Sequence, residues 1–116
     1  MKPSGAGVIA IGDVHGCANA LKTLLELIRP TNRDEIVFLG DLIDDGPDSR
    51  GVLEQVVRRA DTCCVVPLRG NHEEMLLAAR DSREALLRWL HFGGARTLDS
   101  YGSSGGWETI PAEHVR

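Results

Sequence analysis

The 116-residue chain has no apolar stretch approaching the roughly 18 residues that a membrane-spanning helix requires. Met1 to Gly7 is too short and too polar for a secretory leader, and Val8 to Ile11 is too brief for its apolar region. A cytoplasmic location is the resulting expectation. Basic residues are not in excess: 13 Lys and Arg against 17 Asp and Glu give a net charge of -4. Without a basic stripe, nucleic-acid binding is not expected. Cysteines number only three, and Cys17, Cys63 and Cys64 lack the spacing of a thiolate metal site. They read as reduced, packed residues, with Cys63 and Cys64 on opposite faces of a strand. Tryptophans number two, so stacking on a base would fall to Trp89, which sits in a leucine-rich helix, or to Trp107.

What the chain does contain is concentrated in three turns: Gly12-Asp13-Val14-His15-Gly16, Gly40-Asp41-Leu42-Ile43-Asp44-Asp45-Gly46 and Gly70-Asn71-His72-Glu73. Each follows a β-branched apolar run, and each precedes a segment with helical periodicity. Three strand–turn–helix units imply an α/β fold: a parallel βαβαβ sheet with flanking helices and all three turns at one edge. That edge is where open α/β sheets hold ligands. Asp13, His15, Asp41, Asn71 and His72 supply oxygen and imidazole donors without thiolates, a set suited to manganese, iron or zinc. As simple helix caps, Asp13 and Asp41 would leave the two histidines and Asn71 at the same edge unexplained.

In order along the chain, Leu21, Leu24, Leu25 and Ile28 make Ala18 to Ile28 a helix packed on a sheet, ended by Pro30. Glu35 to Leu39 reads as a central strand. Ser49 is expected to cap a helix reaching about Arg59, with Val52, Leu53, Val56 and Val57 inward. Thr62 to Leu68 is the third strand. Glu73 to Ala79 and Arg83 to Phe92 are expected to be helical on Leu76, Leu77, Leu86, Leu87 and Leu90, with Gly93-Gly94 as the stop. A short helical turn over Thr97 to Tyr101 and a Ser103 to Gly106 loop follow.

Together the three motifs resemble those of the calcineurin-like metallophosphoesterases. Within that superfamily, Gly-Asp-Val-His-Gly, Gly-Asp-Leu-Ile-Asp-Asp-Gly-Pro-Asp-Ser and Arg-Gly-Asn-His-Glu are similar to bacterial and phage-type serine/threonine phosphoprotein phosphatases and to symmetrical diadenosine tetraphosphatases. Three motifs in order, each after a strand, are far more specific than a lone Asp-x-His. The run from Gly93 to Gly102 extends the resemblance.

The resemblance implies an αββα sandwich of which this chain corresponds to about the first half, a 1–116 metallophosphoesterase domain truncated at its C-terminus. It implies two divalent ions, with Asp13 and His15 on the first, Asp41 bridging and Asn71 on the second. His72 matches the general acid, and Asp44 the carboxylate that orients it. A bridging carboxylate suits ions about 3.5–4 Å apart that activate water for in-line displacement. Manganese is the first expectation, with iron or zinc as alternatives.

Two departures matter. Asp45 stands where the family pattern has a phosphate-binding arginine, leaving Arg50 and Arg69 as weak substitutes. Two further histidine ligands of the family come from later loops, and His91 and His114 do not match their context. The expected activity is metal-dependent hydrolysis of a phosphoester, on a phosphoprotein or a dinucleoside polyphosphate. The alternatives are a noncatalytic metal- or phosphate-binding fragment and a folding unit stable only by association. One sheet face would lack its cover, which predicts homodimerisation or poor solubility.

Overall fold

The computed structural model describes residues 7–102 and 106–115. The expected lead at 1–6, the Ser103-Ser104-Gly105 part of the expected loop, and Arg116 lie outside the described residues. Strands β1 (Gly7–Ile11), β2 (Asp34–Phe38) and β3 (Cys64–Pro67) form one parallel sheet in the order β1-β2-β3. Ile11 lies opposite Phe38, and Phe38 opposite Pro67, so the strands finish level and their turns open at one edge. The central strand carries Ile36 and Phe38, both with no exposed surface.

The helices α1 (Ala18–Ile28) and α2 (Ser49–Arg59) connect these strands. Right-handed crossovers that step in the same direction across the sheet put both helices on one face. Leu21, Leu25, Val52, Leu53 and Val56 are buried there with Ile11 and Ile36. Leu24, Ile28 and Val57, expected inward, are exposed. A three-stranded sheet is too narrow to cover the flanks of its helices, so each buries only its central stripe. On the opposite sheet face Val8 is 69% exposed while Val37 and Val66 are half-buried, and Leu39 and Leu68, just past the strand ends, are exposed.

Several boundaries differ from expectation for local reasons. Arg29 ends α1 in the left-handed conformation, its amide on the Leu25 carbonyl, one residue before Pro30. Asp48, not Ser49, caps α2, accepting from the Gly51 amide at 2.9 Å; Ser49 is the first helical residue and is fully buried. β3 starts late because the Thr62 and Cys63 amides still bond to the Arg59 carbonyl at the end of α2. Cys63 is buried and Cys64 exposed, as the alternation requires.

Beyond β3, α3 (Asn71–Ala79) packs on α4 (Arg83–Trp89), whose helical path continues through Leu90 and His91 to a kink at Phe92 and Gly93, after which α5 (Ala95–Ser100) begins. The expected stop at Gly93-Gly94 therefore holds: the helix ends there, and the chain bends into α5. Gly93 has φ +111°, and a side chain on Gly94 would overlap the Trp89 indole. Leu87, expected on the apolar face, is 55% exposed, whereas Trp89 is wholly buried.

The last element, α6 (Ala112–Val115), docks through a 2.7 Å bond between the Tyr101 hydroxyl and His114 Nδ1. Burial pushes the Tyr101 hydroxyl well above its usual range, so it stays protonated and donates. Burial, aided by Arg50 and opposed by Glu54 and Glu113, lowers the His114 pKa, which keeps the ring neutral and accepting. A base whose folded pKa lies below its unfolded value adds stability above the unfolded pKa, about 6.5. That stability is lost as pH falls through the lowered folded value. Stability measured by urea denaturation should therefore fall on acidification in this window, and His114→Gln should flatten the slope. Equal slopes for the two proteins would refute this account of α6 docking.

Candidate functional site

The three turns converge at the level strand ends, and backbone bonds staple the first to the second. The Val14 and His15 amides donate to the Asp41 carbonyl at 3.1 and 2.9 Å, and the Gly16 amide donates to Leu42 at 2.9 Å. A side chain on Gly46 would overlap the His15 carbonyl, so this close approach requires glycine. Of the five left-handed non-glycine residues among the described residues, four lie here: His15, Asp41, Asp44 and Asp45. Backbone strain gathered at one place, and held there by the surrounding bonds, marks a functional edge.

Asp13, His15 and Asp41 offer ligand atoms that all lie within 4.8 Å of one another. The His15 Nδ1 donates to the Ile43 carbonyl at 2.9 Å, which leaves Nε2 as the free nitrogen, 3.6 Å from Asp13 Oδ2. An imidazole oriented by a backbone carbonyl through its other nitrogen is the usual outer support of a metal ligand. Burial pulls the His15 pKa down. The Ile43 carbonyl and the carboxylates of Asp41, Asp13 and Asp45 outweigh it, leaving the net shift upward. The donor chemistry, two carboxylates and one imidazole, fits a divalent ion. Asn71 is the exposed first residue of α3, in the turn that follows β3 at the same sheet edge.

Asp41 is itself held from two sides. Its Oδ1 accepts from the His72 amide at 3.0 Å. Its own amide donates to Glu73 Oε1 at 2.6 Å, and the Leu42 amide donates to Oε2 at 2.8 Å. The Gly70 amide adds a third bond to Glu73 at 2.8 Å. One carboxylate thus ties the second turn to the start of α3. Glu73 has no role in the sequence reading beyond its place in the third motif.

The pairing of His72 with Asp44 is direct: Nδ1 lies 2.8 Å from Oδ2, and the rings of His15 and His72 meet edge to face at 4.9 Å. Asp44 has no exposed surface. Its carboxylate also accepts from Trp89 Nε1 at 2.8 Å and Thr97 Oγ1 at 2.6 Å. Its amide donates to Ser49 Oγ and Thr97 Oγ1, both at 3.0 Å. Burial pushes the Asp44 carboxyl above the usual carboxylate range, against the downward pull of Thr97, His72 and Trp89. Trp89 and Thr97 were not singled out as site residues from the sequence. The family-like run from Gly93 to Gly102 contains Thr97 and is the signal that could have found it; Trp89 lies outside that run.

Asp45 is exposed, with its amide bonded to the Gly93 carbonyl at 3.4 Å. Its ligand atoms lie within 4.8 Å of those of His15 and His72. Arg50 pairs with Glu54 at 3.1 Å and Arg69 with Glu74 at 3.5 Å, both at the surface. No helix among the described residues is long and apolar enough to cross a membrane.

With this geometry in place, comparison with known proteins is informative. Residues 7–114 match the calcineurin-like phosphoesterase family. The chain is 44% identical over 88 residues to serine/threonine-protein phosphatase 1 of Salmonella typhimurium, covering 75% of this chain and 38% of that protein. It is 44% identical over 70 residues to a symmetrical bis(5'-nucleosyl)-tetraphosphatase of an Acidovorax species, covering 60% of this chain and 24% of that protein. A crystal structure of a protein assigned as a diadenosine tetraphosphatase superposes with a TM-score of 0.64 at 28% identity, over 98% of this chain and 42% of the other. The chain thus spans well under half the length of these relatives. Family match, parallel α/β architecture and site geometry agree: the chain belongs to the calcineurin-like phosphoesterase family.

Proposed function

We propose that the chain carries one half of a dinuclear phosphoester hydrolase site, with Asp13, His15, Asp41 and Asn71 holding divalent ions and His72 serving as general acid. The observation that carries this reading is the adjacency of the Asp13–His15–Asp41 group to the His72–Asp44 pair. When bound, two such ions supply Lewis acidity and a nucleophile from water at neutral pH. Asp41, fixed through its Oδ1 and its backbone, would be the carboxylate shared by the two ions. Asp44 anchors Nδ1 of His72 and so presents Nε2 to a leaving oxygen, which would take its proton from that nitrogen. Manganese suits the carboxylate-rich group best, with iron or zinc as alternatives.

A phosphoprotein-type phosphomonoester fits better than a dinucleoside polyphosphate. Trp89 is wholly buried and bonded to Asp44, and Trp107 donates its indole N–H to the Leu76 carbonyl at 2.8 Å. Neither is displayed for stacking on a base. The nucleotide reading keeps its support from the named relatives. A noncatalytic metal-binding role is the alternative favoured by Asp45, whose charge would repel phosphate.

Hydrolysis of p-nitrophenyl phosphate across a manganese titration tests the proposal, with Asp41→Ala as control and calorimetry to follow metal uptake. The expected result is saturable, manganese-dependent turnover that Asp41→Ala abolishes. Turnover indifferent to Asp41→Ala would overturn the site assignment. Manganese uptake without turnover would favour the noncatalytic reading.

A further inference from the structure

We propose that His15, Asp45 and His72 form a zinc site of their own, distinct from the carboxylate-rich group and competing with it for His15. The ligand atoms of these three residues lie within 4.8 Å of one another. Around a tetrahedral zinc with bonds of about 2.0–2.1 Å, donors sit about 3.3 Å apart, so side-chain movements of about 1.5 Å or less close the set. Both imidazoles are already prepared for this. His15 spends Nδ1 on the Ile43 carbonyl and His72 spends Nδ1 on the Asp44 carboxylate, each leaving Nε2 as the free nitrogen. A metal-ligating histidine that gives its other N–H to a carboxylate or a backbone carbonyl is the arrangement that fixes tautomer and ring orientation.

The third ligand is placed by a separate piece of the fold. Asp45 is left-handed at φ 69°, and a side chain on Gly93, itself at φ +111°, would run into Asp45 Oδ1. The bend between α4 and α5 thus leaves a niche that the Asp45 carboxylate fills. Two imidazoles and one carboxylate suit zinc, with a fourth position open, whereas one imidazole and two carboxylates suit manganese. A zinc ion with two neutral imidazoles and one carboxylate has a net charge of +1, the charge of the arginine that the family resemblance places at position 45.

The inference rests on the proposed hydrolase site only through the shared His15 and His72. His15 has one free nitrogen, so an ion bound with Asp45 draws it away from Asp13 and Asp41. The same ion occupies Nε2 of His72, the atom assigned to proton donation. Zinc should therefore inhibit a manganese-loaded enzyme, and removing the Asp45 carboxylate should relieve that inhibition.

The test is spectroscopic and does not depend on turnover. Cobalt(II) is titrated into the intact chain, the visible absorption of a tetrahedral centre is followed, and zinc is used to displace it. Circular dichroism confirms that each variant is folded. Asp45→Asn should abolish the band or weaken cobalt and zinc affinity at least about tenfold, while Asp13→Asn leaves both in place. A band that survives Asp45→Asn would overturn the proposal. So would a band lost from Asp13→Asn alone, which would put the ion in the carboxylate-rich group, or one lost equally from both variants. Manganese-dependent turnover of the same proteins is scored separately, so failure of the zinc site and failure of the hydrolase reading are told apart.

Discussion

Replacing Asp44 by alanine is expected to cost about 3–5 kcal/mol of folding stability, the loss typical when one member of a buried charged network is removed. The carboxylate is fully buried and accepts from His72, Trp89 and Thr97, which come from three different elements. Its removal would strand the Trp89 indole N–H, which has no exposed surface, and would open a void beside Gly93 and Thr97. Unmet buried donors carry their full desolvation cost, about 1–3 kcal/mol each. Asp44→Asn keeps the volume but turns an amide N–H toward at least one donor, so an intermediate loss is expected. Urea denaturation at fixed pH measures both. A loss below about 1 kcal/mol for the alanine variant would mean that the network relaxes or hydrates, contrary to the burial seen here.

Glu73→Gln is the second large effect, and it separates support of the site from membership in it. Glu73 contacts no candidate ligand atom, yet its carboxylate receives the amides of Asp41, Leu42 and Gly70 at 2.6–2.8 Å. Charge-assisted bonds of this kind are worth about 1.5–3 kcal/mol each. A glutamine keeps one acceptor oxygen but opposes an N–H with its own NH₂ group. The expected result is a stability loss of about 2–4 kcal/mol. Manganese affinity should fall about 10–100-fold, as for other outer supports of metal ligands. Calorimetric titration of the folded variant reads the second quantity directly. Unchanged manganese affinity would show that Asp41 needs no such anchor.

Much of the architecture was legible because it is written locally. Val8 to Ile11, Ile36 to Phe38 and Cys64 to Pro67 are short β-branched or apolar runs bounded by turn residues, and α1 and α2 show helical spacing. Ala18 to Ile28 was located to the residue. Errors arose where a neighbouring element changed what a local signal meant. Ser49 looks like a cap in sequence, but the bonds from Asp44 and the contact with Thr97 draw it into the core, and Asp48 takes over capping. Leu24 and Val57 look inward on a helical wheel, but the sheet is too narrow to reach them. Gly93 is the stop it looks like, but only the packed structure shows that the bend there brings Thr97 back to Asp44.

The sequence by itself determined the three βα units, their parallel order and the donor types at their turns, because strand and helix periods and right-handed crossovers follow from short-range sterics. It also placed His72 and Asp44 among the partners the family resemblance implies. Only the tertiary structure decided which nitrogen each histidine leaves free, that Glu73 holds the Asp41 turn, and that Trp89 and Thr97 complete the shell of Asp44. It also decided that Asp45 faces His15 and His72. Those facts depend on groups 27 to 53 residues apart in the chain coming within hydrogen-bond reach or, for Asp45 and the two histidines, within 4.8 Å. No local pattern encodes such a meeting; it exists once the sheet, the helices and the bend at Gly93 are packed together.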